Sequence, residues 1–179
     1  MKWNIDGGHS AAEFSVKHMM ITSTKGRFTK INGSFDFDEA NLTGDSIEAT
    51  IEVDSIDSHD EKRDGHLRSP DFFDVATFPN ITFKSTQVEK TGDNEFKVTG
   101  DLTIRDVTKS VVLEVEYNGQ GKTPWGATVA GFSAKTSINR KDFGLNWNVA
   151  LEAGGWLVGE KVNITLEIEG AVQPAQVPA

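Results

Sequence analysis

Apolar and polar residues alternate along most of this chain, and the alternation predicts β-strands. In the segment 47–53, Ile47, Ala49, Ile51 and Val53 are separated by polar residues. Because side chains two positions apart in a strand point to the same face, this pattern is typical of a strand with one buried face. The same alternation occurs in nine segments and predicts about eight strands from them: 3–5, 12–18, 26–37, 47–53, 81–85, 96–104, 111–117, 130–138 and 162–168.

An antiparallel sheet of this size has to bury its apolar face, by closing into a barrel or by stacking as a sandwich. A closed barrel of eight strands has room for filling side chains or for one small ligand. Small residues on the predicted inward faces favour free interior volume, although they also occur at bulges and bends; they are Gly33, Ala49, Gly100, Ala130 and Ala134. The pattern therefore predicts an all-β fold, an eight-stranded antiparallel barrel whose interior is either filled or open.

The segment 58–74 is the one convincing helical stretch between the strands. Ser58 followed by Glu61 predicts a capping box, in which the two side chains satisfy free backbone N–H groups of the first turn. The first part of the segment is almost entirely charged and cannot bury itself. Phe72 and Phe73 are therefore predicted to hold it over one opening of the barrel.

Glycine, proline and short polar residues mark the connections between these elements. Turns or loops are predicted at 41–45, 91–94, 106–109 and 119–126. The Gly- and Trp-rich segment 140–159 is compatible with a long flap. Residues 1–170 are predicted to form one domain, and residues 171–179, with two prolines, a disordered tail.

Charge, cysteine content and hydropathy limit which partners and which cellular compartments the sequence predicts. The net charge of −9 argues against nucleic acid as a partner, because phosphate binding needs a basic surface. The chain has no cysteine, hence no disulfide or thiolate site. No apolar run approaches the roughly 20 residues of a membrane span. The residues after Met1 lack the apolar core of a signal peptide, so the chain as given is predicted to be cytoplasmic, or periplasmic or otherwise extracytoplasmic if a signal was removed.

Candidate chemistry is sparse. On a continuous helix His59 and His66 would lie roughly 10 Å apart along the axis, too far for one zinc ion with bonds of about 2 Å. His9 and His18 are expected to make hydrogen bonds at strand ends, and His18 is also a candidate for contact with a ligand head group. No nucleophile-elbow motif or phosphate-binding loop occurs. The sequence therefore predicts no enzyme, no metal and no cofactor.

Several motifs in fixed order resemble one known family. They are Trp3, Ile5, Asp6, His9, Ser10, Phe14, Val16 and His18; Gly26 and Phe28; Arg63, Asp64, His66, Leu67, Ser69 and Asp71 to Asp74; Pro79, Ile81, Phe83 and Ser85; Gly100, Leu102, Thr103, Ile104 and 107–109; and Ile138, Arg140 and 142–144. The chain is similar over almost its whole length to the YceI-like family, the bacterial lipocalin-like polyisoprenoid-binding proteins. It departs from the family pattern at Phe78, Asp106 and Ser110, which bears on turns and packing more than on the interior.

The resemblance implies a barrel with a helix over one opening and an apolar tunnel for a long isoprenoid or similar amphiphile. It also implies that a homodimer is one expected state. The inward apolar residues could instead simply fill the barrel, and the resemblance favours the tunnel. The predicted ligand-binding residues are Phe14, Val16, His18, Phe35, Phe37, Ile47, Ile51, Phe72, Phe73, Phe83, Val98, Leu102, Leu113, Phe132, Arg140 and Trp147.

The predicted function is to bind or carry one polyisoprenoid, isoprenoid quinone or other long-chain lipid. The alternatives left open are a barrel enzyme that hydrolyses an amphiphilic amide or ester, and a stress or structural factor with an incidental cavity. Six cations in the helical segment and turns could converge on a charged head group: Arg63, Arg68, Arg105, Lys109, Arg140 and Lys141. Because carboxylates neighbour them in sequence, we expect these cations to be paired and the head group to be neutral or weakly polar.

Overall fold

The computed structural model of the chain describes residues 1–40 and 46–172. The predicted turn at 41–45 and the predicted tail from 173 onwards lie outside the described residues. The strands are β1 (Lys2–Ile5), β2 (Ala11–His18), β3 (Thr22–Phe28), β4 (Ile31–Asp36), β5 (Ile47–Glu52), β6 (Ile56–Asp57), β7 (Asn80–Lys90), β8 (Glu95–Ile104), β9 (Val107–Lys122), β10 (Thr128–Asn139) and β11 (Val158–Val172). The helix α1 spans Glu61–Arg68, and short 3₁₀ turns span Gly7–His9, Val53–Ser55 and Arg140–Phe143.

Eight of these strands close into an antiparallel barrel, which confirms the predicted fold. The ring runs β1, β4, β5, β7, β8, β9, β10, β11 and returns to β1. The strand β11 is long enough to have two successive partners on one side: Gly170 to Val172 pair with β1, and Val158 to Glu167 pair with β2. The strands β2, β3 and β6 therefore extend the wall beyond the ring at the end where β11 begins.

Several predicted boundaries were wrong. The predicted strand 26–37 is two strands, because the chain turns at Thr29, whose N–H donates to the Ser55 carbonyl. The hairpin turn at 91–94 is confirmed. The turn predicted at 106–109 is shorter, since Ile104 pairs with Val107 across Arg105 and Asp106.

The ends of the two longest strands also differ from prediction. The predicted loop 119–126 is strand as far as Lys122, because Gly119 pairs with Gly131 beside a bulge at Asn118 in β9. The first two residues of the predicted tail, Ala171 and Val172, are the end of β11 and pair with β1 and β10.

The helix begins later than predicted, and the capping box was wrong. Asp60 is the N-cap, and its carboxylate accepts from the N–H groups of Lys62 and Arg63. Ser58 instead donates both its N–H and its hydroxyl to the buried carboxylate of Asp64. A carboxylate removed from water needs hydrogen-bond donors, and Ser58 supplies two of them to Asp64. Ser58 is therefore not available as the helix cap that the sequence predicted.

Two separate clusters of buried side chains pack the barrel. At the end where β11 finishes, Trp3, Phe35, Phe37, Tyr117 and Phe132 form an aromatic plug with ring centroids 4.9–6.3 Å apart. The Trp3 indole N–H donates to the Phe37 carbonyl at 2.9 Å, so the plug leaves no buried indole donor without a partner. The second cluster lies below α1 and is centred on Phe28, Val53, Ile56, Ile81, Ile104, Phe143 and Leu145.

Candidate functional site

An apolar cavity of about 670 Å³ occupies the barrel between the two clusters. Hydrogen-bonded pairs place successive inward residues in rows across the wall; Val88 pairs with Val98, and Val98 with Leu113. Phe83, Leu102 and Leu113 face this interior and stay only half-buried, as expected of side chains that border open space rather than a filled core.

All sixteen residues predicted to bind ligand lie on the wall of this cavity: Phe14, Val16, His18, Phe35, Phe37, Ile47, Ile51, Phe72, Phe73, Phe83, Val98, Leu102, Leu113, Phe132, Arg140 and Trp147. The period of two along each strand was sufficient to place the strand residues there. Their contact with a ligand stays a prediction.

Only some of the small inward residues that favoured free interior volume border the cavity. Ala49 and Ala134 border the cavity, whereas Ala130 belongs to the aromatic plug. The ring of Phe83 lies over Gly100, and the backbone of β5 lies against Gly33. These two glycines admit a ring and a neighbouring strand, so they add no free volume.

The cavity reaches solvent at the end covered by α1. The exposed residues Lys17, His18, Asp60 and Lys62 contribute to its wall there. The strand pattern did not predict most of this rim, because most of its residues lie in the helix and in irregular loops, outside β2 and β11. The further rim residues are Ser58, Arg63, His66, Leu67, Leu157 and Val158.

Aromatic contacts connect α1 to the loop after β10. The Trp147 ring meets His66 edge-on at 4.6 Å between centroids and Phe72 at 5.4 Å. Phe73 points instead to the barrel wall, where it meets Phe28 at 5.8 Å. The two adjacent phenylalanines therefore hold the segment on two different supports.

Arg140 holds the same loop after β10 through hydrogen bonds from its buried side chain. Its side chain is 3% exposed, and its guanidinium donates to the carbonyl oxygens of Leu145, Trp147, Val158 and Gly159. Burial lowers the pKa of Arg140, and the charge of Glu160 opposes that effect. With four backbone acceptors around it, the guanidinium is poorly placed to bind a head group, which disfavours the role predicted from the sequence.

Most of the other predicted cations also have partners within the chain. Arg63 donates to the hydroxyl and carbonyl of Ser58. Arg68 contacts Asp54, and Arg105 donates to the Gly144 carbonyl and lies over the Phe78 ring. Lys141 pairs with Glu160 at 2.9 Å. These cations therefore have partners within the chain, but the partners are a hydroxyl, backbone carbonyls, Asp54 and Glu160 rather than the carboxylates beside them in sequence.

One group of possible metal ligands occurs among the described residues, and it lies outside the cavity wall. Asp6, His9 and Glu169 bring their ligand atoms within 4.8 Å of one another at the surface. His9 Nδ1 lies 2.9 Å from the Asp6 carboxylate, and this contact raises the pKa of His9 and lowers that of Asp6. An ion pair accounts for this geometry.

These observations define a class: an eight-stranded antiparallel barrel with an apolar internal cavity and a short helix at its opening. The YceI-like domain model matches residues 3–170, so the chain belongs to the YceI-like family. It is 40% identical over 168 residues to Protein YceI of Salmonella newport (strain SL254), covering 94% of this chain and 84% of that protein.

Solved structures agree with this assignment. BcnA of Burkholderia cenocepacia superposes with a TM-score of 0.78 at 28% identity, over 92% of this chain and 98% of that one. The Campylobacter jejuni YCEI protein gives 0.75 at 31% identity, over 88% and 90% of the two chains. A polyisoprenoid binding domain from Saccharophagus degradans gives 0.68 at 14% identity, over 96% and 98%, a likeness of fold alone. In the ranges that the structure describes, no helix has the length and apolar character needed to span a bilayer.

Proposed function

We propose that this chain binds or carries one long-chain amphiphile, a polyisoprenoid, an isoprenoid quinone or a similar lipid, in the barrel cavity. The observation that carries the proposal is the apolar cavity of about 670 Å³. Without a ligand, the water that enters through the opening would lie against apolar side chains, which is unfavourable. An apolar wall also offers water few partners, so a lipid chain is the occupant that best satisfies it.

The elongated arrangement of the wall favours a chain over a compact molecule. Inward residues follow one another along β11, from Val162 near the opening through Leu166 to Ile168 near the plug. Each buried methylene contributes at most about 0.8 kcal/mol, so a five-carbon isoprene unit offers roughly 3–4 kcal/mol before ordering costs. The Saccharophagus degradans domain, whose fold is similar, is described as polyisoprenoid binding, which supports the same ligand class.

A neutral or weakly polar head group fits the opening better than a pyrophosphate. Arg63, Arg105 and Arg140 make hydrogen bonds within the chain, as described above. A pyrophosphate would have to displace those contacts, whereas a quinone requires no compensating charge.

The cavity geometry supports binding rather than hydrolysis. Ser58 is the one serine of the described residues on the cavity wall, and its hydroxyl donates to Asp64 and accepts from Arg63. His66, the nearby candidate base, pairs with Asp71 instead. In a Ser–His pair the imidazole accepts from the hydroxyl, whereas here the Ser58 hydroxyl donates to Asp64, a carboxylate that also accepts from the Ser58 N–H.

The homodimer implied by the resemblance and the compartment are also part of the proposal. Light scattering of the purified chain checks the first. Cell fractionation distinguishes a cytoplasmic chain from one exported by a preceding signal.

The test uses a blocking variant and a matched control on one strand. Leu113→Trp places an indole in the cavity, and Glu114→Trp places the same group on the exposed outer face one residue further on. We expect organic extracts of the wild type to contain an isoprenoid lipid in mass spectra. Titrated isoprenoid quinone should bind the wild type and Glu114→Trp alike, and Leu113→Trp at least about tenfold more weakly.

Three results would contradict the proposal. An absence of retained lipid together with no binding of any added chain would make the cavity incidental. Equal affinity of Leu113→Trp and wild type would place the ligand elsewhere. Turnover of an amphiphilic ester or amide would favour the enzyme.

A further inference from the structure

Two loops beside the cavity opening expose a continuous group of large apolar side chains. We define the apolar tip as Met19, Met20 and Ile21, between β2 and β3, together with Val149 and Trp156. Met20, Ile21 and Trp156 are 68%, 75% and 50% exposed. The N–H of Met19 donates to the Leu157 carbonyl at 2.8 Å, and the Met20 sulfur lies directly over Gly155. The two loops therefore present one surface.

The backbone holds the tip in a conformation that its residues do not favour. Met19 and Met20 have φ values of 53° and 63°, both in the left-handed region. Glycine or asparagine adopts that region most easily, and a tight hairpin turn normally uses them. Here the chain has two methionines and an isoleucine with their side chains in solvent, which the turn itself does not require.

The hairpin that bears the tip is basic, although the protein is acidic. Its strands β2 and β3 carry Lys17, Lys25 and Arg27 against one acidic residue, Glu13, which lies beside Arg27 away from the tip, in a chain of net charge −9. The second loop carries Glu152. An apolar end flanked by cations is complementary to an anionic bilayer surface, where methionine, isoleucine and tryptophan enter the interface and lysine and arginine meet phosphate groups.

The tip and the cavity opening occupy the same end of the barrel. His18, the last residue of β2, pairs with Thr22 and Val158, and both His18 and Val158 contribute to the cavity wall. The next residue in the chain is Met19. A surface that covers the tip therefore also lies against the opening through which a lipid would pass.

We propose that the apolar tip docks the protein on an anionic lipid bilayer, with the cavity opening facing the membrane. The inference rests on the proposed function, since a lipid carrier has to collect its cargo from a membrane. A bilayer fits better than a protein partner, because five side chains are few against the 20–30 residues per side of a standard protein interface. Interfacial insertion needs no matched surface.

The test is sedimentation with lipid vesicles, comparing phosphatidylcholine alone with phosphatidylcholine in which about a third is replaced by phosphatidylglycerol. The double variant Met20→Ser with Ile21→Ser should lose at least about tenfold in binding to the anionic vesicles. Lys25→Glu should also weaken that binding, and added salt should weaken the binding of the wild type. The control is Trp125→Ser, which removes a 79% exposed tryptophan from the opposite end of the barrel, and it should bind like the wild type.

Quinone titration without vesicles separates this proposal from the one above it. Met20 and Ile21 are not on the cavity wall, so the double variant should bind soluble quinone like the wild type. Quinone binding without vesicle binding would overturn the docking proposal alone. Vesicle binding by a chain that retains no lipid and binds no added quinone or polyisoprenoid would overturn the proposed function alone. Docking would also be overturned if the wild type and the double variant bind vesicles equally. The same holds if neither binds vesicles and the wild type is a dimer that the two substitutions dissociate.

Discussion

The guanidinium of Arg140 donates a hydrogen bond to the main-chain carbonyl of Trp147, with 3.0 Å between Nη1 and the oxygen. Trp147 in turn packs its ring on His66 of α1. A buried side chain just beyond β10 therefore fixes a loop whose other face meets the helix over the cavity. The motif around Arg140 has a structural explanation that requires no ligand.

Replacing Arg140 by lysine should destabilise the fold. One ammonium group cannot replace a planar fork that reaches four carbonyl groups, and buried carbonyls left without donors are costly. We expect the free energy of unfolding to fall by about 3 kcal/mol, measured by urea denaturation. The control Lys141→Gln removes an exposed ion pair and should cost less than about 1 kcal/mol. A wild-type denaturation midpoint for Arg140→Lys would mean that these hydrogen bonds do not hold the loop.

Adding a methyl group at Gly100 should be unfavourable because of Phe83. A Cβ there would overlap the Phe83 ring and lie 2.7 Å from the Lys84 carbonyl oxygen. Overpacking of this kind typically costs about 1–3 kcal/mol, so we expect Gly100→Ala to lower the melting temperature and to push the Phe83 ring further into the cavity.

Gly65→Ala is the matched substitution, in the helix, where no atom beyond the neighbouring residues and the helix backbone lies within 4 Å of the added Cβ. It should stabilise by about 0.5–1 kcal/mol, because alanine loses less backbone freedom on folding into a helix. If Gly100→Ala melts at or above the wild-type temperature, the contact with Phe83 does not control stability.

The sequence predicted the barrel wall well and its opening poorly, for one physical reason. A strand has a period of two, so Phe83 and Leu113 could be assigned to the interior from parity alone. The rim residues Lys62 and Leu157 lie in a helix and in an irregular loop, where no such period applies. Ser58 was misassigned because a capping serine and a serine that satisfies a buried carboxylate share the same local sequence.

The Asp6–His9 ion pair should be visible in the titration of His9. The hydrogen bond to Asp6 raises the pKa of His9 above 6.5, and the same bond lowers the pKa of Asp6 below 3.8. We expect the His9 imidazole signal, followed by NMR, to titrate above 6.5 in the wild type and to return towards 6.5 in Asp6→Asn. Glu169→Gln should have a smaller effect, since that carboxylate lies 3.9 Å away.

The sign of the effect on stability follows from the two directions. The contribution of His9 to folding stability is fully present below pH 6.5 and is lost as the pH rises through its raised pKa. The contribution of Asp6 to folding stability is present above pH 3.8 and is lost as the pH falls through its lowered pKa. The stability difference between wild type and Asp6→Asn should therefore be largest between those two values and shrink as the pH rises further. A difference that grows above neutral pH would contradict the ion pair.

Phe72 and Phe73 should have separable roles in holding α1 over the cavity. Phe73 packs on Phe28 in the barrel core, whereas Phe72, which is buried, packs on Trp147 at the opening. Truncating a well-buried phenylalanine to alanine typically costs about 3–5 kcal/mol, which we expect for Phe72→Ala. Phe73 is only half-buried, so Phe73→Ala should lower the melting temperature less. Phe72→Ala should in addition shift the emission of Trp147 and speed the release of bound quinone in stopped-flow measurements, because it removes the ring between the helix and the loop. The variant Trp147→Phe identifies which part of the fluorescence belongs to Trp147. Identical emission and quinone off-rates for Phe72→Ala and Phe73→Ala would show that the contact between Phe72 and Trp147 does not control ligand release.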